Sequence, residues 1–313
     1  MRKCLVVFNT CGIRMESPIE YTNHINSILK QDLEDYKIAV SCCFNSDGCL
    51  WYLKDTFGDK ISYNNIQDKL PISISFNDTV LKCVKEFGEF ESYLFIDSGV
   101  TFGEDIFVLK NLLDLHNSGP YAMTAARTDD DLGLDDWFGT DVRGDLLFKK
   151  DHLTIPVGSA VNLHVQLFSK EVFDAYGKIL PDIFAGQCME STFSFLCAAL
   201  KKKWVVHKDL VLNHKTGMDG PSSGFSPDAW VRKGKNRWDH LFGTEEPILE
   251  IIGRGYKYGM GYEENNSIVN HDESKYDEEG YAVCDELKNY IKQNLYLNDT
   301  QFDYNKINGE FTP

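Results

Sequence analysis

Three short polar stretches follow apolar runs in the first hundred residues, and each carries groups that could bind a phosphorylated ligand. They are residues 9–12 (Asn-Thr-Cys-Gly), 45–48 (Asn-Ser-Asp-Gly) and 97–99 (Asp-Ser-Gly). If the apolar runs are parallel strands, their carboxyl ends meet at one edge of a sheet, where open α/β proteins bind ligands. Three polar groups at one edge would suit a nucleotide. The same residue types are ordinary in turns, and each stretch taken alone favours that interpretation.

Two later residues could supply acid–base or ligand chemistry. Glu190 precedes an apolar helical run, where it can act as a general base or simply cap the helix. His214 stands before a glycine-rich loop and can touch a metal or a phosphate, although a lone histidine is more often a surface or packing residue.

Residues 161–168 alternate strictly between apolar and polar types, which predicts a strand. Asn162, His164 and Gln166 share its polar face. That face predicts either the lining of a wet cleft or the solvent-exposed side of an edge strand.

Two charged clusters offer weaker candidates. Asp129, Asp130 and Asp131 could bind a metal, but they lie among other aspartates and favour a solvated surface. A cationic stretch flanked by Trp230 and Trp238 could bind the phosphates of a ligand or of a nucleic acid, on whose bases the tryptophans could stack. An exposed charged segment is the simplest interpretation. Its cations are Arg232, Lys233, Lys235 and Arg237.

The elements that must position these groups alternate between strand and helix patterns, which is typical of a parallel sheet wound with helices. Strands are predicted at 3–8, 37–43, 60–63, 93–96, 121–125, 161–168 and 204–207. Helices are predicted at 18–30, 77–87, 104–116 and 190–202, with a short one ending near residue 58. Ile19, Ile25 and Ile28 belong to the predicted apolar stripe of the first helix.

The composition excludes several classes of protein. The chain has 313 residues, 42% hydrophobic and 26% charged, unlike disordered or fibrous proteins. Its longest apolar runs, 4–8 and 193–200, are far shorter than the roughly 20 residues of a membrane helix, and the first is too short for a signal peptide. Nine cysteines without CxxC spacing favour buried thiols in the cytoplasm. A net charge of -16 argues against general polyanion binding.

The order of these motifs resembles the family 2 type of GT-A glycosyltransferases, which use nucleotide-diphosphate sugars and a divalent cation. The resemblance runs through residues 5–9, 25–31 (Ile-Asn-Ser-Ile-Leu-Lys-Gln), 36–47, Asn77, 94–100 and 189–193 to His214. It covers roughly residues 3–215 and depends on the order of the motifs, since none is specific alone. It implies an α/β, Rossmann-like, mostly parallel central sheet flanked by helices.

The resemblance also implies roles for individual residues. The donor nucleotide would be bound by Asn9, Ser41, Asn45, Asp47, Asp97, Ser98 and His214. Asp97 matches the first acid of the family's Asp-x-Asp element, whose second position here is Gly99. Either Glu104 or Asp105 then replaces the missing acid, or Asp97, His214 and phosphates hold the metal without it.

For the acceptor side, Glu190 matches one member of an acidic pair and would be the catalytic base, whereas Ser191 replaces the other member. Arg237 and Trp238 are similar to an arginine-tryptophan element of processive relatives. Asn162, His164 and Gln166 would line the acceptor cleft.

These inferences predict a glycosyltransferase of the EC 2.4 class that uses Mn²⁺ or Mg²⁺ and a UDP- or GDP-sugar, and that inverts the anomeric centre. The acceptor is expected to be a glycan hydroxyl, with a modified nucleic acid as the alternative through the cationic stretch. We expect a domain at 1–225, with a donor half (1–100) and an acceptor and metal half (101–225), and an acidic extension at 226–313. A nucleotidyltransferase and a non-catalytic sugar-nucleotide or carbohydrate-binding protein remain alternatives.

Overall fold

The computed structural model describes most of the chain as far as residue 214, together with a helix near the carboxyl end. The described residues are 2–11, 18–43, 47–66, 72–128, 148–149, 152–154, 164–182, 190–214, 248, 250–251, 254, 261–262, 268–269 and 277–296. No helix within these ranges is long and apolar enough to span a membrane.

Ten strands in the described ranges form one sheet. They are β1 (Arg2–Cys11), β2 (Tyr36–Cys43), β3 (Ile61–Ile66), β4 (Phe90–Asp97), β5 (Val100–Thr101), β6 (Tyr121–Thr128), β7 (Phe148–Lys149), β8 (His152–Thr154), β9 (Val165–Ser169) and β10 (Lys203–His214). Their spatial order is β3-β2-β1-β4-β9-β6-β10-β8-β7, and β5 pairs with β10. A separate short pair joins β11 (Gly261–Tyr262) to β12 (Ile268–Val269).

Strand direction confirms the expected α/β architecture with one addition. The long strands β1, β2, β3, β4, β6 and β10 run in one direction, whereas β9 runs the opposite way between β4 and β6. The sheet is therefore mixed but mostly parallel, and β9 is a central strand.

Helices cover both faces of this sheet. They are α1 (Pro18–Leu29), α2 (Asp47–Phe57), α3 (Ile72–Phe87), α4 (Val108–Asn117), α5 (Lys170–Tyr176), α6 (Glu190–Ala199) and α7 (Glu278–Asn294). Helices α1, α2 and α4 pack on one face with Val6 and Phe8 of β1, while α3, α5, α6 and α7 pack on the other with Leu5 and Val7. Because both faces are covered, the strand needs an unbroken apolar run, and residues 4–8 supply one.

Several element boundaries differ from the predicted ones. Helix α4 begins at Val108, four residues later than predicted, because the carboxylate of Asp105 accepts a hydrogen bond from the Phe107 amide in the preceding turn. Strand β10 extends to His214 through a register shift between Val206 and Val211, which no alternation in the sequence indicated. Ile19 of α1 is exposed, so its predicted place in the apolar stripe is wrong.

The carboxy-terminal helix α7 belongs to the same core as the sheet. Its residues Leu287 and Ile291 are fully buried in the cluster that contains α6. Just beyond the helix, the Tyr296 hydroxyl donates to the Ile179 carbonyl at 3.0 Å, and its ring stacks on Tyr176 at 4.7 Å. The acidic region after residue 226 thus contributes a structural element to the main fold.

Candidate functional site

A row of polar side chains crosses the carboxyl ends of four neighbouring parallel strands. Strand register pairs Asn64 of β3 with Ser41 of β2, Ser41 with Asn9 of β1, and Asn9 with Asp97 of β4. All four residues are buried. Asn9 and Asp97, from the first and third of the predicted polar stretches, therefore lie at one edge of the sheet, as parallel pairing requires.

Most of this row holds α3 against the sheet. The Ser75 hydroxyl donates to Asn9 Oδ1 at 3.1 Å, and the Ser41 hydroxyl donates to the Ser75 carbonyl at 3.3 Å. Asn64 Nδ2 donates to Thr79 Oγ1 at 3.0 Å. Asn9 and Ser41 are therefore buried against α3 and position the helix, and their contact with a nucleoside stays a prediction.

At the end of the row, Asp97 meets two histidines. Asp97 Oδ2 lies 3.4 Å from His214 Nε2 and 3.7 Å from His164 Nδ1. The two imidazole rings are 3.8 Å apart between centroids, with planes inclined by 32°. One donor atom from each residue lies within 4.8 Å of the other two, the only such group of metal-binding side chains in the described ranges.

Backbone pairing fixes all three residues. The Asp97 amide donates to the His164 carbonyl at 2.8 Å, which extends the β4–β9 pairing to the site. After the turn at Ser98 and Gly99, Val100 of β5 pairs directly with His214 of β10. The chain reversal that follows Asp97 therefore brings His214 back beside it.

The three side chains are shielded but reachable. Their exposed fractions are 11% for Asp97, 15% for His164 and 9% for His214. Ser98 is buried, with its hydroxyl 3.5 Å from Asp97 Oδ1. A carboxylate and two imidazoles in such a partly dry position form a donor set that suits a divalent metal ion.

Glu190 lies at the same edge of the sheet on a different element. Glu190 is the first residue of α6. Because α6 leads to the amino end of the parallel strand β10, the amino terminus of α6 lies at the carboxyl edge of the sheet. Phe193, one turn later, packs edge-on against Phe168 and Trp204 and fixes the helix. Glu190 is half-buried, and the helix dipole favours a negative charge there.

The predicted acceptor residues have different fates. Gln166 is fully buried, and its side-chain carbonyl accepts a hydrogen bond from Trp204 Nε1 at 3.1 Å, so its place in an acceptor cleft is wrong. The edge-strand alternative is also wrong because β9 is central. His164 lies beside Asp97 and His214, a role that the sequence analysis missed. Asn162 lies outside the described residues.

Glu104 and Asp105 do not replace the acid missing at Gly99. Gln31, which follows α1 at the amino edge of the sheet, donates to the Asp105 carbonyl at 2.7 Å. Both acids are exposed and lie apart from the Asp97 cluster. Their proximity to Asp97 in sequence was misleading because the chain runs back across the sheet before α4.

Other predicted groups cannot be compared with the structure. Asp47 begins α2, but its side chain is not described. The remaining residues that fall outside the described ranges are Asn45, Asp129, Asp130, Asp131, Trp230, Arg232, Lys233, Lys235, Arg237 and Trp238.

The sequence matches no family model and no curated protein. The fold is similar to that of the mannosyltransferase PcManGT from Pyrobaculum calidifontis, solved in complex with GDP-Man and Mn²⁺. That alignment covers 93% of this chain and 75% of the other, with a TM-score of 0.54 and 9% identity. Residues 1-349 of S. aureus TarS align over 95% of this chain and 93% of their own, at 13% identity, with TM-scores of 0.49 alone and 0.48 in complex with UDP. The chain thus has a GT-A-like fold, similar to that of the solved mannosyltransferase.

Proposed function

We propose that this protein is a glycosyltransferase that moves a sugar from a UDP- or GDP-sugar to an acceptor hydroxyl with the help of Mn²⁺ or Mg²⁺. The convergence of Asp97 and His214 at the carboxyl edge of the sheet is the observation that carries the proposal. A fold by itself licenses no activity, and these side chains supply the chemistry that it needs. The similar mannosyltransferase was solved with a nucleotide sugar and Mn²⁺.

The donor is proposed to lie with its diphosphate beside Asp97. A divalent cation bound there would act as a Lewis acid for the negative charge that builds on the departing diphosphate. Asp97 and His214 would hold the cation, and the buried side chains of Asn9, Ser41 and Asn64 join the strand ends to α3. Asp47, Asn45 and Ser98 stay predicted donor residues.

Glu190 is proposed as the catalytic base. The acceptor oxygen forms a bond to the anomeric carbon while the bond from that carbon to the β-phosphate oxygen breaks, and its electron pair leaves with the diphosphate. The acceptor proton passes to the Glu190 carboxylate. Attack from the face opposite the leaving group inverts the anomeric centre. The half-buried position of Glu190 at the carboxyl edge supports this role.

The acceptor is proposed to be a glycan bound over the segment after residue 100, with residues 1–100 serving the donor. A nucleic acid bound by Arg232, Lys233, Lys235 and Arg237 is the alternative. Binding of a defined oligosaccharide and of a single-stranded oligonucleotide, measured side by side at physiological salt, distinguishes the two.

The test of the function couples binding to turnover. Calorimetric titration of GDP and UDP should give tighter binding when Mn²⁺ is present. Asp97→Asn should remove this effect of Mn²⁺ on nucleotide affinity. The control His207→Ala, on the same strand as His214, should keep the effect. Glu190→Gln should bind the nucleotide sugar as the wild type does but transfer no sugar.

Four results would contradict the proposal. If Mn²⁺ does not change the affinity for the nucleotide, the cation has no part in the mechanism. If Glu190→Gln transfers sugar at the wild-type rate, Glu190 is not the catalytic base. Nucleotide-sugar binding with neither transfer nor donor hydrolysis in any variant leaves the non-catalytic alternative, whereas turnover of nucleoside triphosphates alone leaves the nucleotidyltransferase.

A further inference from the structure

The geometry points to His164 as a third protein ligand of the cation, in place of the acid that the chain lacks at position 99. That position is Gly99, and the nearest following acids, Glu104 and Asp105, lie apart from the cluster. His164 instead reaches Asp97 from β9, a different strand. The inference rests on the proposed function for what the cation does there, and on the ligand geometry for everything else.

The separation of Asp97 from His214 matches that of neighbouring ligands of one ion, and the separation of Asp97 from His164 is slightly longer. Two atoms bound at about 2.1 Å and roughly 90–110° apart lie about 3.0 to 3.5 Å from each other. Asp97 Oδ2 is 3.4 Å from His214 Nε2 and 3.7 Å from His164 Nδ1. Both distances are measured to the same carboxylate oxygen, so a small movement of His164 would bring its nitrogen into this range.

A metal-free His–Asp–His hydrogen-bonded cluster is the competing explanation. Charge-assisted hydrogen bonds between nitrogen and a carboxylate are usually about 2.7 to 2.9 Å long. The two distances measured here are longer than that. Both distances are closer to the separation of neighbouring ligands of one cation than to the length of such hydrogen bonds.

The backbone holds His164 in place independently of any ion. Its carbonyl accepts the Asp97 amide at 2.8 Å, and the next residue of its chain, Val165, is paired with Ile96. The imidazole lies against that of His214. A ligand fixed in this way costs little ordering when the cation binds.

A site with two imidazoles and one carboxylate makes a specific prediction about the metal. Imidazole nitrogen favours transition-metal ions, whereas Mg²⁺ prefers oxygen ligands and keeps its water. The protein should therefore bind Co²⁺ and Mn²⁺ more tightly than Mg²⁺. Replacing His164 with aspartate should narrow that difference because it exchanges a nitrogen for an oxygen.

The experiment counts the nitrogen ligands directly. Electron spin echo envelope modulation of Mn²⁺ bound to the full chain should show two imidazole nitrogens in the wild type and in His207→Ala, and one in His164→Gln. Calorimetry with Mn²⁺ alone should show at least a tenfold weaker affinity for His164→Gln, since even changes behind a metal ligand cost about 10- to 100-fold. Circular dichroism checks that His164→Gln folds. If it does not fold, His164→Asp is measured in its place. That variant should show one imidazole nitrogen on Mn²⁺ and a smaller difference between its affinities for Mn²⁺ and Mg²⁺.

The outcomes separate this inference from the function. A single nitrogen in the wild type, or unchanged Mn²⁺ affinity in the folded His164 variant, overturns the inference even if sugar transfer is observed. Two imidazole nitrogens on Mn²⁺ in the wild type, with weaker Mn²⁺ binding by the His164 variant, support the inference even if the chain transfers no sugar. In that case only the proposed function fails.

Discussion

Loss of the Asn77 side chain should strongly destabilise the fold. This side chain makes four hydrogen bonds to the segment after α5. Oδ1 accepts from the amides of Ile179 at 3.2 Å and Leu180 at 2.9 Å, and Nδ2 donates to the Leu180 carbonyl at 2.7 Å and to Asp182 Oδ1 at 2.9 Å. All of these groups are buried. Asn77→Ala would leave two donors and two acceptors without their partner.

The magnitude follows from those four groups. A buried polar group that loses its partner costs about 1–3 kcal/mol, so four cost at least about 4 kcal/mol before water enters. Alanine recovers roughly 0.5 kcal/mol of helix propensity. We expect Asn77→Ala to lower the free energy of unfolding by about 3 kcal/mol, measured by urea denaturation monitored with circular dichroism.

Asn26→Ala is the matched control because Asn26 is an exposed asparagine within α1. It should change the free energy of unfolding by less than about 0.5 kcal/mol. If Asn77→Ala also changed it by less than that, the four hydrogen bonds between α3 and residues 179–182 would have no energetic role.

Three further changes test separate parts of the structure. Burial lowers the pKa of His116 from 6.5 to about 4. Between these two pH values the unfolded chain binds a proton at this histidine and the folded chain does not. The free energy of unfolding therefore falls as the pH drops from 6.5 to about 4. His116→Gln should lack this decrease of about 3 kcal/mol in denaturation measured at several pH values. Trp204→Phe should cost about 2 kcal/mol in urea denaturation, because Gln166 loses its buried partner. Deleting residues 277–313 should abolish cooperative thermal unfolding in calorimetry, because buried Leu287 and Ile291 leave the core.

Local patterns were sufficient for the architecture of the first half of the chain. The apolar run at 4–8 and the alternation of strand and helix patterns up to residue 125 predict a wound sheet, and pairing of β1 with β2 and β4 confirms it. Strands buried on both faces appear as continuous apolar runs, whereas amphipathic helices repeat apolar residues every three or four positions. Both patterns can be identified directly in the sequence. Ends of elements were less accurate because caps and bulges, such as the one in β10, depend on neighbours elsewhere in the chain.

The residues of β9 show what a local pattern cannot distinguish. Alternation correctly separates Val165 and Leu167 from Gln166, but a polar face can meet water or a buried partner equally well. Here the partner is the indole of Trp204, 38 residues later in the chain. The prediction of a wet face failed because the Trp204 side chain satisfies the amide inside the core.

His164 escaped prediction for a related reason. Asp97, His164 and His214 each end or precede a different strand, and no short spacing connects them. Strand β9 lies antiparallel between β4 and β6, so its amino end is at the carboxyl edge of the parallel strands. His164, which immediately precedes β9, therefore lies at that edge. In a parallel strand, the last residue would lie there instead. Reversing one strand therefore moves a histidine from the far edge of the sheet to the side of Asp97. A ligand set built in this way can compensate for a glycine at position 99 without leaving any motif in the sequence around it.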